Sequence, residues 1–285
     1  MREIKKILVL GLGTMGNGIA HVAAQGGYEV VAYDIKQEFL DRGVATIRKN
    51  LSRGLKKGKI TEEEIEKIMA RISTSTDLEK AAEGVDFVIE AVYENLEVKV
   101  DLFQRLNKVL PEDVIFASNT SSISISLLAG SSGRPERFIG MHFFNPVPVM
   151  KLVEIIRGIL TTDETYEVTK QIAEKMGKET IVAKDSPGFV VNRILVPMLN
   201  EAVFAYSEGL ATAEDIDKGM VLGTNMPIGP LALLDLIGLD TALMVSDEFY
   251  KQFQDSKYRV PPLMRQMVAS GLLGRKSGRG FYKYD

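Results

Sequence analysis

The feature that most constrains this chain is a set of glycines placed between a strand and a helix. Residues 4 to 10, IKKILVL, are a short run rich in β-branched residues and leucine, typical of a strand buried on both faces of a parallel sheet. GLGTMG, residues 11 to 16, follows at once and opens a helical pattern that runs to about Gln25. Gly11 permits the tight turn, Gly13 lets a ligand approach the backbone, and Gly16 lets the helix pack closely on the strand. A second apolar strand, YEVVAY, then ends at Asp34. In a dinucleotide-binding unit this order puts a pyrophosphate at the helix N-terminus and the terminal carboxylate on the adenosine ribose. Gly11, Gly13, Thr14, Met15, Gly16 and Asp34 are therefore the expected cofactor-binding residues. NAD is expected over NADP, because Asp34 would repel a 2′-phosphate and no arginine directly follows it, with Lys36 the nearest cation.

The same N-terminus has the outline of a secretory signal, with Arg2, Lys5 and Lys6 ahead of an apolar run and small residues. The glycine spacing has its own explanation, so that reading is rejected. No later stretch is long and apolar enough to span a bilayer.

Further strands are expected at 85 to 92, 114 to 119 and 138 to 144, separated by amphipathic helical stretches such as 96 to 109. The alternation implies an α/β class, a doubly wound, mostly parallel Rossmann-type sheet. Ligands of such sheets bind beyond the carboxyl ends of the strands. Two polar clusters fall there, Glu94 with Asn95 and Asn119-Thr120-Ser121-Ser122; the second also reads as a helix N-cap. From Ser186-Pro187-Gly188 onward the period is helical throughout, with Pro187 suited to a first helical turn. The expected domains are 1–184, which binds the cofactor, and 187–285, all-helical.

With 285 residues, 45% hydrophobic and 26% charged, the chain can bury one large core or two ordinary ones. Thirty-five basic against 38 acidic side chains, with no like-charge block, give no general attraction to nucleic acid or anionic membrane. The absence of cysteine rules out disulfides and thiolate chemistry and suits a reducing cytoplasm. Two histidines in the whole chain argue against a metal centre.

One of those histidines lies in GMHFFNPVPVMKLVEII, residues 140 to 156. FIGMHFF and KLVEII both read as strands, and the prolines between them forbid a continuous ladder. A turn about Val147 to Val149 makes the pair antiparallel and sets His142 directly opposite Glu154. The carboxylate can then hold the imidazole in one tautomer and favour its protonated form, the arrangement of acid-base catalysis. A purely structural pair is the competing reading, and the position at the carboxyl end of a strand favours catalysis. His21, in the first helix, reads as a packing residue. Asn192 has Phe189, Leu195 and Val196 at helical spacing, so its amide needs either a backbone partner or a substrate.

Taken together, GLGTMGNGIA, ASNTSS, GMHFFNPVPVMKLVEII, DSPGFVVNRI, IGPLALLDLIGLD and LGRKSGRGFY closely resemble the L-3-hydroxyacyl-CoA dehydrogenases, and among them the single-chain bacterial 3-hydroxybutyryl-CoA dehydrogenases. The likeness covers essentially the whole chain. It implies an oxidoreductase that interconverts a 3-hydroxyacyl-CoA and a 3-ketoacyl-CoA with NAD(H), with His142 as acid-base and Glu154 as its partner. It implies that Ser121 and Asn192 contact the substrate's 3-oxygen and that Glu94, Lys99 and Asn119 lie near the cofactor. CoA phosphates would meet basic residues after the second strand, where KNLSRGLKKGK offers Arg53 and Lys57 at helical spacing. The resemblance also suggests a homodimer through the helical domain. Two alternatives share the features: a β-hydroxyacid or gulonate-type dehydrogenase, and a non-catalytic NAD(H)-binding protein on the same fold. The intact set Ser121, His142, Glu154 and Asn192 disfavours the second.

Overall fold

The computed structural model describes residues 3–284; Arg2, which gave the signal-like outline its first charge, lies outside them. The chain divides into two compact units, 1–186 and 187–285.

In the first unit the chain runs β1 (Lys6–Leu10), α1 (Thr14–Gln25), β2 (Glu29–Tyr33), α2 (Gln37–Lys56), α3 (Glu62–Ala70), β3 (Ile72–Ser75) and α4 (Leu78–Ala82). It continues through β4 (Phe87–Glu90), α5 (Leu96–Val109), β5 (Ile115–Ser118), α6 (Ile125–Ser132), β6 (Phe138–Phe143), β7 (Leu152–Arg157), α7 (Asp163–Lys175) and β8 (Glu179–Lys184). The eight strands form one sheet in the order β3-β2-β1-β4-β5-β6-β7-β8. All neighbours are parallel except β6 and β7. The order reverses between β1 and β4, which makes that crevice the place for a ligand. Ile7, Leu8, Val9 and Leu10 of β1 are wholly buried, as a strand covered by helices on both faces requires.

Two glycines fix how α1 leaves the sheet. Gly11 has φ +84°, and a Cβ on it would stand 2.8 Å from the Ala91 carbonyl oxygen. A Cβ on Gly16 would overlap the Gly11 carbonyl. Any side chain at either point would push the helix off the strand. The edge strand β3, ISTS, pairs with β2 but leaves Ser73 and Thr74 exposed, so it carries no apolar run that sequence reading could recognise.

The second unit holds α8 (Val191–Ser207), α9 (Ala213–Thr224), α10 (Pro230–Ile237), α11 (Leu239–Phe253) and α12 (Pro262–Ala269) around a core that includes Leu199, Val203, Leu231, Leu234 and Met264. Pro187 does not begin the first helix, contrary to expectation. Gly188 and Phe189 have φ of 77° and 52°, outside helical space, and α8 starts only at Val191. Two buried carboxylates organise this unit. Asp217 accepts from the Leu231 and Ala232 amides at the start of α10 and from the Tyr282 hydroxyl at 2.7 Å. Asp235 accepts from the Phe281 and Tyr282 amides and the Tyr284 hydroxyl. The GRGFYKY segment is thereby tied to α9 and α10, a structural use of a motif that carries no chemistry itself. Among the described residues no helix is long and apolar enough to cross a membrane.

Candidate active site

The glycine loop and Asp34 form the first part of the site. Asp34 Oδ2 accepts from the Leu12 amide at 2.9 Å and Oδ1 from the Ile35 amide at 2.8 Å, so its carboxylate is fixed before any ligand arrives. Gly13 is the N-cap of α1 and supplies no side-chain cap, leaving first-turn amides for an anion. No atom lies within 4 Å of where its Cβ would be, so the backbone can be approached there. Two cavities meet at this point, both lined by Gly13, Asp34 and Phe39. One, of about 560 Å³, has Ile35, Tyr93 and Val98 as apolar walls. The other, of about 660 Å³, runs past Thr14 and Asn17 along α2 to the turn at Asn145–Pro148. An uncapped helix end, a bare glycine and an anchored carboxylate beside an apolar cavity fit a dinucleotide.

The α2 face lining the second cavity carries Arg42, Thr46 and Asn50, four residues apart and missed in sequence reading. Arg53, which was named, is exposed and donates to Asn50 Oδ1 at 3.3 Å. Lys57 corrects an expectation: α2 ends at Lys56, and Lys57 is the C-cap residue just past the helical face it shares by count with Arg53.

His142 and Glu154 face each other across β6 and β7, in the register expected. His142 Nδ1 lies 2.7 Å from Glu154 Oε2, and both side chains are buried. The Phe144 ring packs against the imidazole with centroids 4.7 Å apart. Behind the turn sits a residue that sequence reading missed. Buried Lys178, in the segment between α7 and β8, donates to the Val147 carbonyl and to the Met150 carbonyl at 2.8 Å. It clamps the turn that joins the two strands. Burial lowers its pKa, and its charge adds to burial in holding His21 at about 4, so His21 is neutral at physiological pH. His21 is thus a packed residue, as expected, buried in α1.

Beyond the carboxyl ends of β4 and β5 lies a charged network. Lys99, only 1% exposed, pairs with wholly buried Glu90 and with Glu94. Glu90 also accepts from Ser118 Oγ at 2.6 Å. Glu94 Oε1 accepts from the Thr120 hydroxyl, the Ser121 and Ser122 amides and the Ser122 hydroxyl. Burial raises the Glu94 pKa, but the Lys99 charge and the hydrogen bonds from Thr120, Ser122 and Lys99 outweigh it, and the net shift is downward. Ser121 is half-buried on the loop that Glu94 gathers. The cap of α6 is Ser124, not one of the cluster, and Asn95 caps α5. Asn119 Oδ1 accepts from the Phe143 amide at 2.8 Å, tying the end of β5 to the residue after His142. Asn192 lies in the first turn of α8 and lines a small cavity inside the helical unit.

A dinucleotide-binding sheet that carries a buried histidine-carboxylate pair at a strand end is the arrangement an NAD-dependent oxidoreductase needs. Residues 6–186 match the 3-hydroxyacyl-CoA dehydrogenase NAD binding domain, and residues 188–284 match the C-terminal domain of the same family. A protein of Deinococcus radiodurans named probable 3-hydroxybutyryl-CoA dehydrogenase is 54% identical over 98% of this chain and all of its own. The 3-hydroxybutyryl-CoA dehydrogenase of Bradyrhizobium diazoefficiens is 50% identical over 99% of this chain and 96% of its own. The crystal structure of (S)-3-hydroxybutyryl-CoA dehydrogenase from Ralstonia eutropha superposes with a TM-score of 0.96 at 52% identity, covering 99% of this chain and 100% of that one. The chain belongs to the 3-hydroxyacyl-CoA dehydrogenase family, and its cofactor is NAD.

Proposed function

We propose that this enzyme interconverts (S)-3-hydroxybutyryl-CoA and acetoacetyl-CoA, with His142 carrying the proton. The observation that carries the reading is the buried His142–Glu154 pair, on the strands that extend the NAD-binding sheet. Held by the glycine loop and Asp34, a bound NAD(H) would supply the acceptor, or in reduction the donor, for the hydride at the substrate's C3. Glu154 Oε2 lies on Nδ1 of the imidazole, which leaves Nε2 for proton exchange with the 3-oxygen. In oxidation His142 removes the 3-hydroxyl proton; in reduction it donates one to the ketone. Ser121 donates a hydrogen bond to that oxygen and stabilises charge on it as the proton moves; for Asn192 the family resemblance supports a contact with the substrate. Glu94 and Lys99 serve by holding the loop of Ser121, and Asn119 by tying that loop to β6. Arg42, Arg53 and Lys57 offer positive charge to the CoA phosphates along and just past α2, and Asp34 receives the adenosine ribose.

The assay is NADH absorbance. It should fall on addition of acetoacetyl-CoA and not with free acetoacetate; turnover of the free acid alone would favour a β-hydroxyacid dehydrogenase instead. NADPH should be the poorer cofactor. Asp34→Ala should raise KM for NADH with little change in kcat at saturation, and a wild-type preference for NADPH would remove Asp34 from that role.

The helical unit exposes Ile194 (68%), Leu222 (73%), Leu236 (53%) and Met244 (63%), large apolar side chains that association would remove from water. We propose that it forms a homodimer. Sedimentation at micromolar concentration should show twice the chain mass; a monomer throughout would sink the proposal. A cysteine-free chain acting on a CoA ester is assigned to the cytoplasm on the same footing.

A further inference from the structure

On the acid-base reading of His142 given above, we propose that Lys178 is a positioning residue for the reaction. By holding the turn between β6 and β7, it sets where the His142–Glu154 pair stands relative to the cofactor loop. Strand β5 pairs with β6 at Phe138, Ile139 and Gly140 and reaches no further. Met141, His142 and Phe143 run on past it, and on that side the Asn119 side chain takes over, through the Phe143 amide. On the other side lies β7, whose Ile155, Glu154 and Val153 stand opposite them. The place of His142 therefore depends on how β7 is brought back beside β6, which the turn at residues 144–151 decides.

The Val149 and Met150 amides both donate to the Pro146 carbonyl, at 2.9 and 3.0 Å, so the turn closes on itself. Val147 is buried against α1, where a Cβ on Gly18 would stand 2.7 Å from the Val147 Cβ. The turn thus rests on the helix that begins at the glycine loop. A closed turn that touches a helix at one side chain can still pivot. The Lys178 ammonium removes that freedom, because it donates to two carbonyls three residues apart, those of Val147 and Met150. Its own backbone is anchored at the start of β8. The Lys178 amide donates to the Ala173 carbonyl at 3.0 Å, and the next amide, of Glu179, donates to the Lys151 carbonyl at 2.9 Å. Lys178 is buried, and among the described residues no carboxylate pairs with it. Holding a buried charge on neutral carbonyls costs stability that a methionine of similar length would not. What the ammonium supplies is direction: one allowed place for the turn, and so one placement of the acid-base pair against α1.

The test uses the whole enzyme with NADH and acetoacetyl-CoA, and it also reads the imidazole directly. His142 and His21 are the only histidines, so in protein carrying isotope-labelled histidine the ring nitrogen resonances of His142 are assigned by their loss in His142→Ala. Lys178→Met keeps the apolar stem and removes both hydrogen bonds. It should lower kcat by about 10- to 10²-fold, the scale of a small misplacement at a reacting group, with a much smaller change in KM. The His142 ring resonances should shift, because the 2.7 Å contact of Nδ1 with Glu154 loosens. Lys178→Gln, too short to reach both carbonyls, should change both readouts in the same direction, and it decides the matter if Lys178→Met unfolds. Circular dichroism and melting confirm that each variant is folded. A lysine that only stabilises the fold would lower the melting temperature and nothing else. A folded variant with wild-type kcat, or with the His142 resonances unmoved, therefore overturns the proposal. Wild type that turns over no 3-ketoacyl-CoA removes the functional reading itself, and the resonances then still decide whether Lys178 places the pair.

Discussion

Replacing His142 with alanine should reduce turnover of acetoacetyl-CoA by at least about 10²- to 10⁴-fold, the usual worth of a positioned acid-base group. NADH should still bind with its normal affinity, read by quenching or enhancement of its fluorescence, because the glycine loop, Asp34 and the apolar cavity beside them are independent of the imidazole. Glu154→Gln makes the sharper case. Glutamine keeps the shape and can still hydrogen-bond Nδ1, but it carries no charge to stabilise the imidazolium and can hold the wrong tautomer. A loss of about 10²-fold in kcat with a much smaller change in KM is expected, the pattern of an interaction felt mainly in the transition state. The competing structural reading makes the opposite forecast: a sheet pair buried 2.7 Å apart would, on neutralisation, lower the melting temperature and leave kcat near normal in whatever stays folded. A folded Glu154→Gln enzyme with wild-type kcat would therefore remove Glu154 from the mechanism.

What made this pair legible was symmetry about a turn. Once two apolar runs are taken as antiparallel strands, the prolines between them leave few turn centres, and a period of two fixes which side chains share a face. The same reasoning located β1, α1, β2 and Asp34, because there the pattern, the glycines and the terminal carboxylate all point one way. It failed where tertiary contact overrides local pattern. β3 is an edge strand whose outer side chains meet water, so ISTS has no periodic apolar signal. Pro187 looked like a helix start, but positive φ at Gly188 and Phe189 spends those residues on a turn. Lys178 and the Glu90–Lys99 pair were invisible for a different reason. A lysine on an amphipathic stretch reads as a solvated charge, and only the fold shows that the carbonyls of a distant turn or the carboxylates of a neighbouring strand have enclosed it.

That enclosure makes Lys99 the position with the largest expected effect on stability. Its side chain is 1% exposed and that of Glu90 is wholly buried, so Lys99→Met keeps much of the volume but leaves a carboxylate in the interior without its cation. Breaking a buried pair from one side costs roughly 3–5 kcal/mol, far more than the intact pair contributes over an apolar substitute. For a unit of this size the melting temperature should fall by on the order of 10 °C. Adding Glu90→Gln should recover part of the loss, since it removes the stranded charge. The pH dependence follows from Glu94. Its pKa is depressed in the folded protein, with the Lys99 charge the largest stabilising cause, so its contribution to stability is present above the unfolded carboxylate range and disappears as pH falls through the folded value. Without Lys99 the depression should shrink, and the variant should lose less additional stability than wild type between neutral pH and pH 4. Should Lys99→Met melt within about 2 °C of wild type at neutral pH, the ammonium would not be what secures Glu90, and the Val92 amide and Ser118 hydroxyl that also donate to it would suffice. The loop bearing Ser121 would then owe its position to the hydrogen bonds of Glu94 and not to Lys99.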